Sequence, residues 1–254
     1  MTGETRRRSA AVLLAALAMA CSGDDGGAAS PRVEQPALSP TQPQTTGTTE
    51  APLVGEPLVV SEQGLSTFPD PIDPTSSLGG YGVVIDNPNP DLMATGVRVV
   101  TRILDASGVE LLVDRAVLNA VSPAGRMAVG RTLIEPLADP TQLEVQVEVS
   151  AWLRPASATA ELTATEIVTE PAPGGGLVTS FDVSSSWPER EEGVDATAVF
   201  RAADGSILGA EYTTIAFVAP GASAPVRIAL LSAIPGLAST EVFVGRGFAA
   251  QTTG

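Results

Sequence analysis

The chain contains neither histidine nor lysine, and its one cysteine is Cys21. Nucleophilic and acid–base chemistry near neutral pH draws mostly on those three side chains, so what is left is carboxylates, hydroxyls and arginines. Asp86-Asn87-Pro88-Asn89-Pro90-Asp91 gathers Asp86, Asn87, Asn89 and Asp91 into one short segment, a hard-oxygen set that a Ca²⁺ ion could use. The plainer reading is a strand end entering a proline-stiffened loop with Asx turns, since the segment lacks a glycine-containing acidic loop and a bidentate glutamate. Glu189, Glu191 and Glu192 could do acid–base work on a glycan, but a charged run between Pro188 and Gly193 reads more simply as a solvated loop. Ser184, Ser185 and Ser186 have no base to activate them. Trp152 and Trp187 suit either a core or a ligand platform, and Trp152 falls on the buried phase of an alternating strand. The expectation is a chain without catalytic residues, metal or cofactor.

Charge narrows the partners. The formal net charge is −15, and residues 1–20 hold Glu4 against Arg6, Arg7 and Arg8, so a chain lacking them carries −17. Such a body repels nucleic acid and anionic headgroups, and no basic stripe offsets that repulsion. Attachment to a membrane would need a covalent lipid. One cysteine also excludes an internal disulfide, so stability must come from buried cores.

The elements that present these residues begin with a leader. Arg6-Arg7-Arg8 precede the apolar run Ala10–Ala20, which is too short to cross a bilayer and reads as a signal peptide over residues 1–20. The three arginines read as an ordinary basic leader rather than a twin-arginine signal. Leu17-Ala18-Met19-Ala20-Cys21 resembles the bacterial lipobox, in which Leu17, Ala18, Met19 and Ala20 would be read by the lipoprotein signal peptidase. Cys21 would then take the lipid and hold the chain on the outer, extracytoplasmic face of the cell membrane. Residues 21–52 are rich in Pro, Thr, Ser and Gly with few large apolar side chains. Such a stretch cannot offset its ordering entropy, and it reads as a disordered tether about 30 Å in mean reach.

Beyond the tether the chain repeats itself. A shift of 97 residues lays 96–147 on 193–244 without a gap, so that Gly96, Gly108, Leu111, Val121, Pro123 and Val147 meet Gly193, Gly205, Leu208, Val218, Pro220 and Val244. Upstream, only Gly79 and Gly176 keep that register. Leu143–Val149 alternates apolar and polar residues without a break. Further strands are expected near 57–60, 81–86, 97–104, 109–120 and 127–134, then near 162–168, 177–184, 194–202, 206–218, 225–232 and 240–248. Turns are expected at Asp105–Gly108, Ala203–Ser206, Pro123–Gly125 and Pro220-Gly221. The fold class is therefore all-β: two tandem antiparallel immunoglobulin-like β-sandwich domains, at 53–155 and 156–254.

On Asn87, Thr101-Arg102-Ile103-Leu104-Asp105, Gly108 and Pro123-Ala124-Gly125, the body resembles the bacterial FxLYD domain family. Thr101 and Leu104 stand where that motif has Phe and Tyr. The resemblance implies a non-catalytic, extracytoplasmic sandwich and brings no active site with it. Together these readings describe a lipid-anchored interaction or structural module whose partner is an extracellular protein or glycan. Two other classes compete with it: a glycan hydrolase using carboxylates alone, and a solute-binding accessory lipoprotein. Solute-binding lobes alternate strands with long helices, and this chain shows no helical periodicity.

Overall fold

The computed structural model describes residues 51–70, 73, 77–132, 137, 139–155 and 161–246. Leu17, Ala18, Met19, Ala20, Cys21 and the tether up to residue 50 lie outside them. The described residues belong to one compact unit, and every regular element among them is a strand. The first six are β1 (Val59–Pro69), β2 (Ser77–Asp86), β3 (Met93–Asp105), β4 (Glu110–Val121), β5 (Arg126–Thr132) and β6 (Pro140–Leu153). The next six are β7 (Leu162–Pro171), β8 (Leu177–Ser185), β9 (Glu191–Arg201), β10 (Ile207–Val218), β11 (Ser223–Leu230) and β12 (Ser239–Gly245).

Each set folds as a two-sheet antiparallel sandwich with the same connections. The sheets run β1-β2-β5 and β4-β3-β6 in the first, and β7-β8-β11 and β10-β9-β12 in the second. Placing the second strand beside the fifth and the third beside the sixth is immunoglobulin-like pairing. The duplication extends to register: Val97 faces Leu118 where Val194 faces Ile215, and the residue bulged out of the pairing is Leu111 in one copy and Leu208 in the other. Upstream the spacing changes. Val83 faces Val129 while Phe181 faces Val226, so β8 lies 98 residues after β2 although β11 keeps the shift of 97. The counterpart of Gly79 is consequently Leu177, not Gly176, because the second copy has one residue fewer between its second and third strands. Equivalent hairpins close at Gly108 (φ 83°) and Gly205 (φ 86°). The next reversal uses Gly221 (φ 62°) in the second copy and Ala124 (φ 50°), rather than the adjacent glycine, in the first.

The first strand is longer than the expected 57–60. β1 continues to Pro69 because Gly64 and Ser66, which interrupt its apolar pattern, face a second sheet instead of water.

Each sandwich has its own core: Tyr81, Val83, Ile85, Val97, Val99 and Ile103 lie at the centre of the first, and Phe181, Val183, Val194, Ala196, Ala198 and Phe200 at that of the second. A third cluster joins them, in which Val84 and Ala128 pack on Val199, Ile207, Ala210 and Phe243. The outer face of β1-β2-β5 thus lies on the outer face of β10-β9-β12, and the four sheets stack as layers. Strand β2 is buried from Leu78 to Ile85, sending Tyr81, Val83 and Ile85 into the first core and Gly80, Gly82 and Val84 toward the joint.

Small residues set the joint's closeness. A Cβ on Gly64 would run into the Ile207 carbonyl, one on Gly80 would come within 2.9 Å of the Leu208 oxygen, and one on Gly82 within 2.8 Å of Ile207 Cγ2. Ser66 donates its hydroxyl to the Leu208 carbonyl across the same seam. Along one edge Glu62 binds Arg126 and Arg201, each at 2.5 Å, Arg201 binds Glu241 at 2.6 Å, and Arg126 reaches Asp86 at 3.0 Å. The hydrogen bond from Arg201 leads in holding the Glu62 carboxyl below its ordinary range.

Gly64→Ala is expected to lower stability by about 1–3 kcal/mol, because the clash is with backbone that cannot turn aside. Urea unfolding of residues 50–254 measures it, and an unchanged midpoint would mean that the sheets do not meet this closely.

Candidate functional site: a cleft beside the joint

Along β9 the side chains alternate between the second core, which takes Val194, Ala196 and Ala198, and the opposite face, which carries Asp195, Thr197 and Val199. Val199 enters the joint. Nearer the start of the strand the sheets no longer touch, and Asp195 and Thr197 line an open cleft of about 770 Å³. Their cross-strand partners on β10, Thr214 and Tyr212, share that face and line it too. The first sandwich supplies Tyr81, Asp114, Arg115, Arg131 and Thr132, and the segment after β11 supplies Leu231 and Ser232.

The carboxylates of the cleft differ in their partners. Asp114 is saturated: it accepts the Tyr81 hydroxyl at 2.5 Å and the Arg115 backbone N–H at 2.8 Å, with Arg131 at 3.6 Å. Burial first, and then this hydrogen bond to a carboxylate, holds the Tyr81 phenol protonated far above its ordinary range. Among the described residues Asp195 accepts only the Thr214 hydroxyl, at 2.9 Å, and burial raises its carboxyl above the ordinary range. Glu211 accepts the Thr132 N–H at 3.2 Å, and burial raises it as well, against the pull of the Thr132 and Tyr212 backbone N–H groups and of the Arg131 charge. Neither Asp195 nor Glu211 forms an ion pair among the described residues. Thr132 Oγ1, on the first sandwich's side of the cleft, is buried without a hydrogen-bond partner among the described residues. At the mouth, Tyr212 is 61% exposed and Leu231 80%.

The residues singled out in the sequence lie elsewhere, and all but Glu189 are occupied. Asn87 Nδ2 donates to the carbonyls of Leu92, Val121 and Ser122, and its Oδ1 accepts the backbone N–H of Asn89 at 3.0 Å, an Asx turn. Asn89 exchanges hydrogen bonds with the backbone of Glu56 through both amide atoms. Asp86 faces Arg126 at 3.0 Å and Asp91 faces Arg154 at 3.9 Å. This segment therefore pins the chain entering β1 to the turn between β4 and β5. Glu191 pairs with Arg246 at 2.8 Å and Glu192 with Arg190 at 3.4 Å, while Glu189 is exposed. Ser184 bonds Thr163, Ser185 accepts the Trp187 N–H and Ser186 accepts the Glu161 N–H. Trp152 is half-buried against the first core and Gly55, and Trp187 is half-buried with the Arg246 guanidinium 3.7 Å over its ring.

Sequence reading passed over Asp114, Asp195, Glu211 and Tyr212. One signal was available: Asp114 faces Thr101 as Glu211 faces Ala198, so the two acids occupy one position of the repeat.

No family model matches the chain. No curated protein sequence matches it either. Among solved structures, the chain is similar to the exo-chitosanase CsxA of Amycolatopsis orientalis at 11% identity and a TM-score of 0.26, over 65% of this chain and 24% of that one. The present chain spans about a quarter of that enzyme's length. A likeness at that level says nothing of activity.

The raised carboxyls have a consequence for stability. A carboxyl whose folded pKa lies above its unfolded value favours folding when protonated, and that contribution is lost as pH rises through the folded pKa. Asp195→Asn and Glu211→Gln should therefore melt above the parent at pH 7.5, by less than about 1 kcal/mol because both groups still meet water. The difference should vanish by about pH 2.5, well under the ordinary carboxylate values, where both states are protonated. Thermal melts at the two pH values measure it.

Proposed function

We propose that this chain is an exported bacterial lipoprotein, cut before Cys21, held by a lipid on that residue at the outer face of the cell membrane, and serving as a non-catalytic binding body. The observation that carries the reading is Leu17-Ala18-Met19-Ala20-Cys21 at the end of a basic-then-apolar leader, followed at once by a solvated tether. Charge supports it, since a mature chain with Glu4 and Arg6–Arg8 removed carries −17 and has no other hold on an anionic surface. A diacylglyceryl group supplies two chains, enough for stable anchoring where a single chain is marginal.

The FxLYD-like resemblance of the body is part of the same proposal. Two sandwiches closed on each other through the seam at Gly64, Gly80 and Gly82 would stand at the end of the tether as one object, and a partner would meet a fixed surface. Its partner on this reading is extracellular, either protein or glycan, with no role for nucleic acid.

Cys21→Ala tests the anchor. The variant should accumulate uncleaved or appear in the medium, and membrane fractions of cells grown with labelled palmitate should lose the labelled band. A Cys21→Ala chain that is still shortened and membrane-bound would refute the reading.

A further inference from the structure

We propose that the cleft beside the joint binds a neutral saccharide, with the Thr197 and Ser232 hydroxyls as its hydrogen-bonding partners and the Tyr212 ring as the surface on which it lies. The two hydroxyls carry the inference. Thr197 is 3% exposed and Ser232 6%, both line the cleft, and neither hydroxyl has a hydrogen-bond partner among the described residues. Side chains buried to that degree are nearly always paired within the protein. Thr179 and Ser185, buried as deeply, follow that rule, the first bonded to Thr169 and the second accepting the Trp187 N–H. Thr197 and Ser232 instead keep their bonding capacity for what enters the cleft.

Strand register gives the site its shape. Thr197 stands opposite Tyr212, and Asp195 opposite Thr214, on one face of the β9-β10 pair. Cross-strand neighbours lie about 5 Å apart and same-face neighbours along a strand about 7 Å, so the four side chains cover a patch the size of one sugar ring. Tyr212, 61% exposed, gives that patch an aromatic plane for the C–H face of the ring. The bonding groups then select the ligand. A hydroxyl both donates and accepts, while Asp195, beyond the Thr214 hydroxyl it already holds, offers acceptor oxygen. What matches them carries donors and acceptors on adjacent atoms beside an apolar ring face, as vicinal sugar hydroxyls do. A cation brings no acceptor for the hydroxyl protons, and an apolar ligand would strand both hydroxyls. An anion would be repelled by a chain of net charge −15. The cleft of about 770 Å³ falls within the roughly 300–1,000 Å³ of small-molecule sites.

The inference rests on the binding role proposed above and gives its partner a class, but it does not rest on the anchor, which fractionation of Cys21→Ala tests separately. Isothermal titration of the full chain carrying Cys21→Ala, which bears no lipid, uses maltotriose, cellotriose and triacetylchitotriose up to millimolar concentration. At least one of the three should saturate. Thr197→Val and Ser232→Ala should each weaken that binding roughly three- to tenfold, and Tyr212→Ala about tenfold. Thr163→Val, on a face of the second sandwich turned away from the joint, should leave it unchanged. Thr197→Val and Ser232→Ala remove hydroxyls that have no partner among the described residues, so both should melt at or above the parent, and weakened binding is then not loss of fold. The proposal is overturned if none of the three sugars saturates, if Thr197→Val and Tyr212→Ala bind like the parent, or if Thr163→Val weakens binding equally. Any of these results would leave the anchor standing.

Discussion

Two β-sheets can share a dry face at close range only if one of them gives up its side chains there. In this protein the outer face of β1-β2-β5 does so, with Gly64, Gly80 and Gly82 under the Ile207–Ala210 stretch of β10. Everything specific to the molecule depends on that concession. It lets Ile207, Ala210 and Phe243 leave water without clashing, and it brings Arg126 and Arg201 to the same edge as Glu62 and Glu241. It also fixes where the sheets part, and so creates the cleft.

The joint is asymmetric although the two halves are copies. Val84 at the seam corresponds to Asp182, and Gly82 to Ser180, both on a face of the second sandwich turned away from the joint. Conversely, Val199 and Phe243 at the seam correspond to Arg102 and Gln146, which are exposed in the first. Each copy therefore keeps one adhesive outer face and one polar one. Had both copies kept both adhesive faces, the contact would repeat from chain to chain without closing. The polar outer layers offer no second seam of this kind, as with capping units in repeat proteins.

Charge is handled in two ways a short distance apart. At the seam, carboxylates and guanidiniums are matched within hydrogen-bonding distance, and Glu62 is held in its ionised form by Arg201. In the cleft, Asp195 and Glu211 are desolvated, and burial outweighs their hydrogen bonds and the Arg131 charge near Glu211, pushing both the other way. The first arrangement fastens the halves together. The second leaves two carboxyls for which burial disfavours the charged form.

Much of the fold was legible in the residues alone, because strand alternation and turn glycines act locally and the copy shifted by 97 residues repeated them. Gly108, Gly205, Leu111 and Leu208 fall at matching turns and bulges in both halves. The weak upstream match had a local cause as well, a loop shorter by one residue that no ungapped comparison can follow. What the chain could not disclose was the partner of each outer face. Gly80-Tyr81-Gly82 reads as a loose or irregular strand until another backbone is seen against it, although glycine at alternate strand positions is the mark of such an approach. Asp195 and Glu211 looked like ordinary polar positions of half-wet strands, since their desolvation comes from residues far away in the chain, Thr132 being 79 positions from Glu211. Local pattern thus determined the sandwiches. Only tertiary structure decided which faces met, and therefore which acids were desolvated.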